Sequence, residues 1–63
     1  MLLFFTDVTT GLPVAINPQH VACVFTTKDE SGAETTIINL VNGNVAVSES
    51  QLEVVGRIQS ELR

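Results

Sequence analysis

The sequence predicts an α+β domain that is mainly β: a meander of five antiparallel strands, strongly curved or closed as a small barrel, with one C-terminal helix across it. Three observations predict this. Glu34 to Leu62 reads as strand, turn, strand and helix in immediate succession. Three upstream apolar runs have the length of strands and are separated by turn residues. With 63 residues, the chain makes one domain, residues 1–63, in which a single small core must serve every element.

The first run, Leu2-Leu3-Phe4-Phe5, is apolar on both faces, because neighbouring strand residues point to opposite sides. Leu2 and Phe4 share one side, Leu3 and Phe5 the other. Two readings stand: both sides are buried within the monomer, or one side meets a second copy. After the turn at Thr9-Thr10-Gly11, Leu12-Pro13-Val14-Ala15-Ile16 forms the second strand with Leu12, Val14 and Ile16 on one face. Pro13 has no N–H, which assigns this strand to an edge or to a bulge near its start. Asn17-Pro18 ends it, and Pro18-Gln19-His20 forms one helical turn.

Val21 to Thr27 is the third strand, with Val21, Cys23 and Phe25 on one face and Ala22, Val24 and Thr26 on the other. Nearly apolar on both sides, it reads as a central strand. Lys28 to Ala33 is a solvated hairpin loop with a Ser-Gly turn. Thr35 to Leu40 and Val45 to Val47 form the next hairpin, for which Asn42-Gly43 is expected to supply positive φ angles. Two capping signatures overlap at its exit, Ser48-x-x-Gln51 and Ser50-x-x-Glu53, of which Ser48 is the preferred N-cap. The helix runs to Arg63 with an apolar stripe of Leu52, Val55, Ile58 and Leu62, and Val54 at its margin. Gly56 marks either a close approach to a neighbouring element or a position of no consequence.

Composition narrows the functions open to this chain. Cys23 is the only cysteine, so no intrachain disulfide can form, and the chain reads as made for a reducing compartment, the cytoplasm. One Cys and one His cannot supply a tetrahedral zinc site, and no cofactor or metal is expected. No apolar run approaches the roughly 18 residues of a membrane span, and the basic start of a secretory leader is missing. His20 and Cys23 point to opposite faces of an extended chain, and Asp29-Glu30 lie together in a loop with no cleft, so no catalytic residue is assigned.

The reading that remains is a non-enzymatic protein-interaction module whose first partner is itself. Its hydrophobic fraction of 44% exceeds what so short a chain can bury in one core, and its mean hydropathy is +0.33. Leu3 and Phe5 on the first strand, with Val54 and Ile58 at the helix margin, are the expected interface of a homo-oligomer. The alternative is a small barrel that binds single-stranded nucleic acid through exposed aromatics. Three Phe, one Lys and a net charge of −4 disfavour it.

The chain also resembles the small flagellar FlbD family, known too as the swarming-motility SwrD family. The resemblance rests on Ile16-Asn17-Pro18, the following Val21 and Val24, Ile38-x-Leu40-Val41-Asn42-Gly43, Glu49-Ser50, and Glu53-Val54 with Ile58. It spans almost the full chain. In this sequence the loop Lys28 to Ala33 looks longer than the family's, the segment from Gly43 to Glu49 shorter, and Asn44 and Val45 replace basic residues. The resemblance implies an accessory protein acting on flagellar motor function through protein contacts, and transfers no catalytic residue.

Overall fold

The structure is a computed structural model and describes residues 1–62. Arg63, expected in the last turn of the helix, lies outside the described residues. The elements follow the expected order: β1 (Leu3–Thr6), β2 (Pro13–Ile16), a 3-10 turn (Pro18–His20), β3 (Val21–Lys28), β4 (Glu34–Leu40), β5 (Gly43–Val47) and α1 (Gln51–Leu62). The expected single sheet or barrel does not form. Instead β1 and β2 make a two-stranded antiparallel sheet, and β3, β4 and β5 make a three-stranded one in that order.

The two sheets touch at one corner. Asp7 bridges Val47, the Ser48 N–H donates to the Thr6 carbonyl at 2.9 Å, and the Val8 N–H donates to the Ala46 carbonyl at 3.1 Å. Beyond Val47 the chain turns into the helix, so no strand is left for Leu3 to Phe5 to pair with on that side. The Glu49 carboxylate takes the place of a strand there, accepting from the Thr6 N–H at 2.9 and 3.1 Å.

The core lies between the two sheets and α1. Phe5, Ile16, Ile38, Val47, Val54 and Ile58 are its buried residues, with Leu3, Val14, Val21, Val24, Leu40 and Val45 packed around them. Thr36 is buried with them. The central strand is therefore β4, not β3: Ile38 is fully buried, whereas β3 pairs with β4 alone and is exposed along most of its length. The register of β3 shifts between Val21 and Cys23, which leaves Ala22 as the extra residue of a bulge. The bulge changes the alternation, so that Val21 and Val24 both face the core. Cys23 and Phe25 turn outward.

Turn chemistry departs from expectation at one hairpin. Leu40 pairs with Gly43, so Val41-Asn42 is the two-residue loop, neither of its residues has a positive φ, and only the Gly43 that follows it does, at 151°. The turn at Pro18–His20 forms as expected, with the Asn17 side chain accepting from the Gln19 N–H at 3.0 Å.

Ser50, not Ser48, is the helix N-cap. Its hydroxyl accepts from the Glu53 N–H at 3.2 Å and its carbonyl from the Val54 N–H at 2.9 Å. Ser48 is still held in the sheet by its bond to Thr6. The inward face of α1 is Val54 and Ile58, four residues apart. Leu52 precedes Val54 by two positions, about 200° around the helix, and is 86% exposed. The expected stripe through Leu52 and Leu62 is thus displaced to the Val54 side. Gly56 has nothing within 4 Å of where a Cβ would stand, which removes the close-approach reading.

Candidate functional site

Three of the four side chains expected at an interface are enclosed by their own chain. Phe5 is 2% exposed, Val54 0% and Ile58 7%, and Leu3 is half-buried against the same cluster. The reason is geometric: the Leu3 and Phe5 side of β1 faces the cluster that Val54 and Ile58 enter from α1, so it is the core side. The Arg57 guanidinium stands 4.4 Å from the Phe5 ring centroid and covers it further. These residues build the monomer.

The opposite faces are open. On the small sheet, Phe4 is 59% exposed and lies across from Ala15, with Leu2 also exposed on that side. On the large sheet, Phe25 pairs with Ile37 and Ile37 with Ala46. These three form an apolar row across the outer face, because their neighbours Val24, Ile38 and Val45 line the core. Phe25, at the end of this row, is 40% exposed. Cys23 is exposed on the same face, although a free thiol among apolar strand residues is ordinarily buried.

The strand edges differ in what they offer. The Asp29 N–H donates to the Ala33 carbonyl, so by the antiparallel alternation Phe25 and Thr27 turn their backbone groups to β4, and Val24, Thr26 and Lys28 turn theirs to the open edge. Gln51, the first residue of α1, reaches that edge. Its Nε2 donates to the Val24 carbonyl at 3.3 Å, and its Oε1 accepts from the Thr26 hydroxyl at 2.6 Å. On β2 the same alternation, fixed by the Asp7 N–H to the Leu12 carbonyl, turns Pro13 to the outside. Pro13 has no N–H to offer there.

Charged groups are mostly engaged locally. Burial raises the Glu49 pKa, but bonds from the Thr6 N–H and hydroxyl, its own N–H and the field of Arg57 outweigh it, so the carboxyl sits below its ordinary value. Asp29 is also held low, first by the Ser31 hydroxyl and then by the Ala33 N–H. Its Oδ1 accepts at 2.6 Å from that hydroxyl and at 2.9 and 3.0 Å from the Ser31 and Ala33 N–H groups. The carboxylate is thus used to shape its own loop. Lys28 faces Glu34 at 3.7 Å, and Arg57 faces Glu53 at 4.0 Å.

Among the described residues, no three metal-ligating side chains come together, and no helix is long and apolar enough to cross a membrane. No family model, curated protein or solved structure matches this chain.

Proposed function

We propose that this chain is a non-enzymatic interaction module that assembles with copies of itself. One observation carries the reading: large apolar side chains remain open on the outer faces of both sheets, Leu2 and Phe4 on one and Phe25 on the other, around a core of only six buried apolar residues among those described. Burying such surface between copies supplies stability that a core of this size does not. The resemblance to the flagellar family supports the same mode of action, through protein contacts, and suggests motor function as its setting.

Light scattering across a concentration series tests the proposal. The mass is expected to rise from the 6.8 kDa of one chain to a fixed multiple of it. A mass that stays at one chain at every concentration would remove self-association.

A further inference from the structure

We infer that β3 of one copy pairs with β3 of a second copy, antiparallel and centred on Phe25, and joins the two three-stranded sheets into one of six strands. The inference rests on the proposed self-association and specifies its geometry.

The hydrogen-bonding groups of the edge define the kind of partner. Val24, Thr26 and Lys28 present backbone N–H and C=O groups outward from an eight-residue strand, and such a row is completed by another extended backbone. Pro13 interrupts the β2 edge, β1 is only four residues long with Thr6 taken by Glu49, and β5 turns the end of its other edge to the corner with β1, which leaves β3 as the longest open edge among the described residues.

Self-complementarity defines the partner as a second copy. With Phe25 opposite Phe25 on the two-fold axis, Val24 lies opposite the second copy's Thr26, so the outward backbone groups meet as a hydrogen-bonded pair. Cys23 then lies opposite Thr27, and Ala22 opposite Lys28, so no like charges face each other across the seam. Centring the pair on Thr26 instead would set Lys28 against Val24 and would separate the two Phe25 rings. In the Phe25 register the outer apolar row of Phe25, Ile37 and Ala46 continues into its equivalent in the second copy. The Phe25 pair is of the closely spaced, non-hydrogen-bonded kind, which favours aromatic contact. Both helices fall on the same face of the joined sheet.

Gln51 stands in the way and acts as a guard. The Val24 carbonyl that would accept from the second copy's Thr26 N–H accepts from the Gln51 amide in the single chain. Pairing therefore exchanges a side-chain amide for a backbone amide at the same acceptor. Gln51 is exposed, so its side chain can swing into solvent without disturbing the core.

A disulfide trap reads the register. Thr27→Cys places a thiol opposite the Cys23 of the second copy, on the same outer face and in a closely spaced pair, where a bond is geometrically allowed. Cys23 and its own equivalent are four strand positions apart, about 13 Å, and cannot bond. Oxidised glutathione is expected to convert Thr27→Cys to an interchain dimer, while the wild type and Lys28→Cys, whose thiol would lie on the other face, stay largely uncrosslinked. Gln51→Ala, measured by light scattering, is expected to lower the concentration of half-assembly by about thirtyfold, the worth of two neutral hydrogen bonds, one displaced on each copy. Equal crosslinking in all three proteins, or none in Thr27→Cys at a concentration where its mass has doubled, would overturn edge pairing and leave self-association standing. A single-chain mass throughout would overturn both.

Discussion

Glu49 ties the start of the chain to its end. Its carboxylate accepts from the Thr6 N–H and, at 3.0 Å, from the Thr6 hydroxyl across 43 positions of sequence. Because the folded pKa lies below its ordinary value of 4.5, the charged form is favoured by folding. The resulting stability is present above the unfolded pKa and is lost as pH falls through the folded one. Glu49→Ala should therefore cost about 1 kcal/mol at neutral pH, a value reduced by the half-exposure of the site. In urea titrations the deficit should vanish well below pH 4.5. A deficit that persists unchanged in acid would show that the side chain acts by packing. From the sequence, Glu49 was legible only as a negative charge near a helix start, since nothing in periodicity joins it to Thr6. Phe5 was legible as apolar, but which side of β1 faces the core was not, because both sides are apolar.

At the scale of elements, strand and helix identities were readable from alternation, turn residues and capping signatures. Phase and neighbour relations were less so. One extra residue, Ala22, moves Cys23 and Phe25 outward, and the apparently central strand pairs with β4 alone and so forms an edge. A bulge leaves no signature in a run as uniformly apolar as Val21 to Phe25. In the helix, Val54 and Ile58 were both recognised as apolar, yet the inward direction was set by where the chain leaves β5, through Ser48 and the cap at Ser50. Gly56 is exposed with open space around it, so Gly56→Ala should stabilise the fold by about 1 kcal/mol through helix propensity. Thermal unfolding followed by circular dichroism checks this, and the assembled mass should not change. A loss of assembly in Gly56→Ala would place that helix face at an interface.

For the whole molecule, the order of elements was legible, and the closure of the sheet was not. A barrel needs β1 paired along its length on both sides, and this chain departs into a helix before that pairing is made. The result is elongated, about 37 Å by 20 Å by 20 Å. The expectation of open apolar surface holds in kind but moves in place, from Phe5, Val54 and Ile58 to Phe4, Phe25 and their neighbours. Interior and exterior were exchanged on β1 because the side taken by the helix is a property of the assembled domain.

Amide hydrogen exchange along β3, resolved by residue and repeated over a range of protein concentrations, tests this arrangement most directly. In dilute solution Phe25 and Thr27 should be protected by β4 while Val24, Thr26 and Lys28 exchange fast. As the mass doubles, Val24 and Thr26 should become protected in step with it. Uniform protection of β3 in dilute solution would contradict its place at the sheet edge, and fast exchange at Val24 and Thr26 in the assembled protein would contradict pairing through that edge.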